Sequence, residues 1–182
     1  TIFRRMNRVV CSLSGRLSKE MEIRTEGEEL LVDRLLVEQL TEPMMHVVRN
    51  AADHGIESVE ERRAAGKNPK GIIMLSAGTE GNRLFLSVKN DGRKLDARRI
   101  FARAKEKGFI GIDADIRDYG EEEIFQMITR SGFSTMDTVT EISGRGIGMD
   151  IVANRLKELG VSLRIRNLPE EGVEIVMEVP ME

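Results

Sequence analysis

The stretch His46-Val47-Val48-Arg49-Asn50-Ala51-Ala52-Asp53-His54-Gly55-Ile56-Glu57 holds both histidines of the chain within nine residues. Wound as a helix, it sets His46, Asn50 and Asp53 at i, i+4 and i+7 on one stripe, with Met45, Val48 and Ala52 on a neighbouring apolar stripe. An Asn amide oxygen aimed into a cleft suits Mg²⁺, a hard cation that takes a few protein oxygens together with phosphates. A histidine one turn earlier can accept a proton or orient a terminal phosphate. The plainer reading is a polar outer stripe ending in His54. By spacing alone the plainer reading leads.

Two other stretches carry chemistry. Gly144-Arg145-Gly146-Ile147-Gly148-Met149-Asp150 precedes a helical pattern, and alternate glycines let backbone approach a ligand beside the free N–H groups of a helix start. It closes a Ser-, Thr- and Gly-rich stretch from Thr129 to Gly148, long enough to read as a lid or binding loop. It is neither the GxGxxG of dinucleotide folds nor a GxxxxGK[ST] phosphate loop. Asn90-Asp91-Gly92 follows a strand and, taken alone, is an ordinary turn.

Outward from these, Ile2, Phe3, Met6, Val9, Val10, Leu13 and Leu17 predict an amphipathic helix, and Glu20–Arg24 alternates as a short strand. Asp33 predicts a cap for a short helix through Leu40, with Pro43 opening a new helix that runs to Gly55. Ser58 and Glu61 form a capping box for a short helix ending near Gly66. Gly71–Gly78 and Arg83–Lys89 read as a hairpin. Asp96 caps a basic helix from Ala97 to Lys107, and Glu121–Ile128 is one more short helix. A helix from Met149 to Leu159 stops at Gly160, and Val161–Arg166 and Val173–Val179 are the last strands. Strands in hairpins and helices in runs predict one α/β (α+β) domain over residues 1–182. Its expected form is a two-layer sandwich, with helices on one face of a mixed, mainly antiparallel sheet.

Composition narrows the function. With 28 basic and 31 acidic residues the net charge is −3, and six Phe, one Tyr and no Trp make no basic-aromatic surface, so nucleic acid is not an expected partner. Cys11 is the lone cysteine, which excludes disulfides and points to a reducing, cytoplasmic setting. No apolar run approaches the roughly 18–20 residues of a spanning helix, so membrane insertion is not expected. The chain starts at Thr1, which reads as a domain of a longer protein.

Taken together and in order, these motifs resemble the ATP-binding and catalytic domain of CheA-type chemotaxis histidine kinases, in the GHKL superfamily with gyrase and MutL. His46–Glu57 is similar to the superfamily's N box, Phe133-Ser134-Thr135 to its F box, and Ile142–Val152 to its second glycine box. The resemblance spans nearly the whole chain. The histidine at position 46 favours the chemotaxis kinases, because gyrase, MutL and ordinary histidine kinases are expected to carry Glu there.

The resemblance implies ATP and Mg²⁺ as ligands. It gives Asn50 the metal and His46 a place near the γ-phosphate, with Asp53 and His54 supporting the nucleotide. Gly144, Gly146, Gly148 and Met149 would border the phosphates, with Phe133 at the lid's hinge. Arg99 and Arg103 stand where the family places phosphate contacts, although a solvated cationic face explains them too. Asn90 and Gly92 would hold the base. Here the chain departs from the family's Asp-x-Gly-x-Gly: Asn90 stands for the Asp that accepts from the adenine amine, and Lys94 for the second Gly. The amide keeps a carbonyl acceptor but loses the charge that roughly doubles such a bond. Lys94 is expected to strain the turn or crowd the base, and Val173 replaces a hydroxyl of the family's Gly-x-Gly-Thr.

The implied reaction is transfer of the ATP γ-phosphoryl group to a histidine. Both histidines belong to the N box, so the acceptor lies on a domain outside this chain. Dimerisation and receptor-coupling domains and a downstream response regulator are the other implied partners. The alternative is a degenerate GHKL regulatory module with weak or lost nucleotide binding, which the departures at Asn90, Lys94 and Val173 support.

Overall fold

The computed structural model describes residues 2–30, 32–133 and 148–181. Helix α1 (Ile2–Leu17) buries Phe3, Met6, Val10 and Leu13, the i, i+3, i+7, i+10 stripe of the sequence. Strand β1 (Glu20–Glu26) follows, two residues longer than the alternation predicts. Asp33 accepts from the Leu35 and Leu36 N–H groups and starts helix α2 (Arg34–Asn50).

Pro43 does not open a new helix, contrary to the expectation. It lies inside α2, where it removes one backbone hydrogen bond. A mid-helix proline costs about 3 kcal/mol. Leu40, Met44, Val47 and Val48 are all fully buried on the stripe that runs through it. Burying such side chains gains about 1.5–3 kcal/mol each, so packing carries the helix across the break. α2 then widens into a single π-turn, Ala51–Gly55, with the Ile56 N–H bonded to the Ala51 carbonyl at 2.8 Å.

Ser58 caps α3 (Val59–Ala64) as its capping box predicts. β2 (Lys70–Glu80) and β3 (Arg83–Asn90) form the hairpin, and Asp96 caps α4 (Ala97–Glu106). A short 3₁₀ turn at Ile116–Asp118, absent from the sequence reading, precedes α5 (Glu121–Gln126). A 3₁₀ turn at Met127–Thr129 extends α5, and α6 (Met149–Glu158), β4 (Ser162–Asn167) and β5 (Val173–Pro180) complete the chain.

The five strands form one sheet in the order β1-β2-β3-β5-β4. Only β1 and β2 run parallel, Glu20 opposite Lys70, and α2 and α3 supply the crossover that a parallel pair requires. The other three pairings are antiparallel. Buried Ile73 and Leu75 of β2 alternate with less buried neighbours, as do Leu84, Leu86 and Val88 of β3. One sheet face is thus packed into a core shared with α1, α2 and α6, as a two-layer α+β sandwich demands. The C-terminal end of α2, the end of β3 and the start of α6 carry the sequence motifs.

Candidate functional site

Asn50 ends α2, and its Nδ2 lies 3.3 Å from the Sδ of Met149 in the first turn of α6. This contact joins the first and second motifs across 99 residues. Asn50 Oδ1 accepts no hydrogen bond among the described residues. It is a hard oxygen left available beside the start of α6, where Gly148 occupies the N-cap position.

His46, one turn earlier, is largely buried, with Nε2 3.9 Å from Glu42 Oε1. Burial, followed by the Arg49 charge, lowers its pKa below the ordinary value, and the opposing pull of Glu42 is weaker. The imidazole is therefore neutral near pH 7.

The π-turn carries Asp53 and His54, whose side chains approach to 3.5 Å, His54 mostly in solvent. Lys19, between α1 and β1, donates to the Ala52 carbonyl at 3.0 Å and to the Asp53 carbonyl at 2.6 Å. These carbonyls sit where α2 loses its regular ladder, so Lys19 supplies donors the helix itself lacks.

At the end of β3, Asn90 is buried and its Oδ1 accepts from the Gly92 N–H at 2.9 Å. The turn sits tightly on its neighbours. A Cβ at Gly92 would lie 2.0 Å from the Gly55 carbonyl, and one at Gly172, whose φ is +84°, would lie 1.8 Å from the Asn90 carbonyl. Only glycine fits either place. Arg93 N–H bonds the Gly55 carbonyl at 2.9 Å, tying the turn to the π-turn.

Beneath this corner lies a charge network with no counterpart in the sequence reading. Arg62, 1% exposed, bridges Glu57 at 3.0 Å and Asp91 at 3.1 Å. Lys67 bonds Glu57 at 2.8 Å and Glu171 at 3.1 Å, and also reaches the Asp91 and Gly92 carbonyls. No sequence period links positions 57, 62, 67, 91 and 171, so only the fold reveals them.

Phe133 is buried, 5.8 Å from the Phe109 ring, with the Arg103 guanidinium 5.7 Å from its ring centre. Lys107 donates to the Phe133 carbonyl. Arg99 is exposed, and its backbone N–H completes the Asp96 cap. Gly144 and Gly146 lie outside the described residues. Lys94 does not strain its turn: Ser18 is the one non-glycine at positive φ among the described residues, and Lys94 Nζ reaches outward to the Pro169 carbonyl at 2.8 Å. Among the described residues no cluster of three His, Cys, Asp or Glu side chains is placed to hold a metal.

Residues 39–182 match the family of histidine kinase-, DNA gyrase B- and HSP90-like ATPases. The chain is 37% identical over 180 residues to the chemotaxis protein CheA of Rhizobium meliloti, covering 99% of this chain and 23% of that protein. It is 34% identical over 181 residues to CheA of Bacillus subtilis, covering 100% of this chain and 27% of the relative. It thus spans about a quarter of the length of these curated relatives. Among solved structures, the catalytic domain of the histidine kinase ThkA superposes with a TM-score of 0.55 at 17% identity, over 98% of this chain and 90% of that one. Full-length ShkA in complex with AMPPNP superposes with a TM-score of 0.53 at 19% identity, over 96% of this chain and 29% of that one.

Proposed function

This chain belongs to the histidine kinase-, DNA gyrase B- and HSP90-like ATPase family, and from that premise we propose that it is the nucleotide-binding catalytic domain of a CheA-type histidine kinase. In this reading residues 1–182 are one domain of a longer, cytoplasmic kinase. Among the described residues no helix is long and apolar enough to cross a membrane. The observation that carries the reading is the Asn50–Met149 contact, which brings the N-box helix against the start of α6 and leaves Asn50 Oδ1 open there.

Asn50 Oδ1 suits Mg²⁺, which takes one or two protein oxygens and completes its shell with phosphates and water. Bound there, the metal would neutralise charge on the phosphates. The family resemblance assigns the phosphate end to His46, Gly144, Gly146, Gly148 and Met149, with Arg99 and Arg103 of α4, and gives Phe133 the place of a hinge. Asp53, His54, Asn90 and Gly92 hold the nucleoside end.

The reaction joins an imidazole nitrogen of an acceptor histidine to the γ-phosphorus while the bond from that phosphorus to the bridging oxygen breaks and ADP departs. Such transfer is largely positioning and charge stabilisation. Neutral His46 can accept the proton that the acceptor imidazole gives up, or hydrogen-bond the γ-phosphate. The acceptor histidine, the dimerisation and receptor-coupling domains and the response regulator lie on other domains or proteins.

Titration calorimetry with ATP and ADP, with and without Mg²⁺, tests this. Mg²⁺-dependent binding is expected, and nucleotide at 100 times its dissociation constant should stabilise the fold by about 2.7 kcal/mol. No binding at millimolar nucleotide would return the domain to the regulatory-module reading.

A further inference from the structure

Lys67 follows Gly66, the left-handed residue (φ +73°) that ends α3, and the Lys67 N–H bonds the Arg62 carbonyl at 2.8 Å. The helix end therefore sets where the lysine side chain departs. Its ammonium meets three separate segments. It bonds Glu57 Oε2 at 2.8 Å, just beyond the π-turn, and Glu171 Oε2 at 3.1 Å, in the turn between β4 and β5. It also donates to the Asp91 and Gly92 carbonyls, both at 3.2 Å, in the turn that follows Asn90. All three ammonium hydrogens are thus engaged.

These segments form one corner of the fold. Gly172 lies against the Asn90 carbonyl, where a Cβ would come within 1.8 Å. Further along, the Asn167 amide clasps Leu95, accepting from its N–H at 2.8 Å and donating to its carbonyl at 2.9 Å. Neutral bonds hold that side of the corner, and an ion holds the side next to Asn90. Without the ammonium, two carboxylates that converge on one point would repel, and two turn carbonyls would lose a donor.

We propose that Lys67 is a positioning residue, holding the Asn90–Gly92 turn where the nucleoside end of ATP binds and so setting nucleotide affinity without touching the ligand. This rests on the reading of the site as a nucleotide pocket with that turn at its base end. A binding group keeps its geometry only when the residues behind it are themselves fixed. Burial works against the Lys67 charge, but the bonds from Glu57 and Glu171 outweigh it and raise its pKa above the ordinary value, so the staple stays charged.

Calorimetric titration of the whole chain with Mg²⁺-ATP and Mg²⁺-ADP, far below the melting temperature of each variant, tests this. Lys67→Met should weaken both nucleotides by the same factor, about tenfold or more, because both present the same nucleoside to the turn. Simple loss of a positive charge would instead weaken ATP more than ADP, since ATP is the more highly charged. Lys67→Arg keeps a cation with donors for both carboxylates and should recover most of the loss. Glu171→Ala, at a partly exposed side chain, removes only the link to the β4–β5 turn and should weaken both nucleotides by about threefold. It decides the matter where Lys67→Met does not fold. Unchanged affinity in the deciding variant, or a loss larger for ATP than for ADP, overturns the positioning role and leaves the nucleotide reading standing. Failure of the unaltered chain to bind either nucleotide at millimolar concentration overturns both.

Discussion

Arg62 Nη2 lies 3.1 Å from Asp91 Oδ2, and this ion pair, buried at its guanidinium end, ties helix α3 to the turn that carries Asn90. The same guanidinium holds Glu57 and, through Nε, the Asn68 carbonyl at 2.6 Å. Removing it strands Glu57 and Asp91 Oδ2 with less than their full set of donors. Loss of one partner from a buried charge network costs about 3–5 kcal/mol. Arg62→Met should therefore lower the melting temperature by roughly 10 °C, since each kcal/mol moves a domain of this size by about 2–4 °C. Thermal unfolding followed by circular dichroism checks it, and a shift within a degree or two would show that the network is not load-sharing.

Lys19→Met should loosen the π-turn. Its ammonium is pushed below its ordinary pKa by burial, and Asp53, the largest opposing influence, keeps it favourable to stay charged. Hydrogen bonds to charged groups contribute about 1.5–3 kcal/mol each. Loss of the pair to Ala52 and Asp53 should destabilise the fold by an amount in that range and also weaken nucleotide binding, because Asp53 and His54 ride on that turn. Urea denaturation and calorimetry on one preparation separate the two effects. Unchanged nucleotide affinity at lowered stability would restrict Lys19 to a structural role.

Much of the architecture is legible in the sequence because it is local. Asp33, Ser58 and Asp96 cap the helices they precede, and Ile73, Leu75, Leu84 and Leu86 alternate as half-buried strands do. Pro43 misleads, since a local rule about proline yields to a buried stripe whose value is set by packing partners. The π-turn at Ala51–Gly55 leaves no pattern of its own, and a helix running to Gly55 is what periodicity alone suggests. The Asn50 stripe is visible as a spacing, but its meeting with Met149 is not. Arg62 is hidden for a different reason: its partners are 5 and 29 residues away in separate loops, and an arginine in Glu60-Glu61-Arg62-Arg63 reads as solvated surface. The orientation of the Asn90 amide depends on the N–H that Gly92, two residues on, donates to its Oδ1, a contact that the turn geometry sets and the sequence does not reveal.

Acidification should destabilise the domain in two stages. His46 has a folded pKa below its ordinary 6.5, from burial and then Arg49, so the unfolded chain binds more protons and stability falls as pH drops through that region. Glu57 and Glu174 are held below their ordinary 4.5. Burial opposes this in both, and is outweighed by hydrogen bonds from Lys67 to Glu57 and from Arg166, Lys89 and Ser87 to Glu174. Their stabilisation is present above pH 4.5 and lost as pH falls through the folded values. Chemical denaturation at stepped pH should show a first decline from about pH 6.5 that His46→Gln abolishes, and a second below 4.5 that it leaves in place. A decline from pH 6.5 that persists in His46→Gln would place its origin elsewhere.

Asn50 offers the most direct test of the metal assignment, because its two amide atoms meet different surroundings. Nδ2 faces Met149, and Oδ1 faces no donor among the described residues. Asn50→Ala removes both, while Asn50→Asp keeps a hard oxygen at the same position. If Oδ1 serves the metal, alanine should erase the gain in ATP affinity that Mg²⁺ brings, about tenfold or more by comparison with losses from even outer-shell changes at metal sites. Aspartate should keep that gain, since carboxylate oxygens suit Mg²⁺ at least as well as an amide. The Met149 contact is lost or altered in both variants, so a defect arising from α2–α6 packing would strike both alike. Calorimetric titration of each with ATP, in Mg²⁺ and in chelator, distinguishes these cases: an Asn50→Ala chain that still binds ATP more tightly with Mg²⁺ has its metal held by another group.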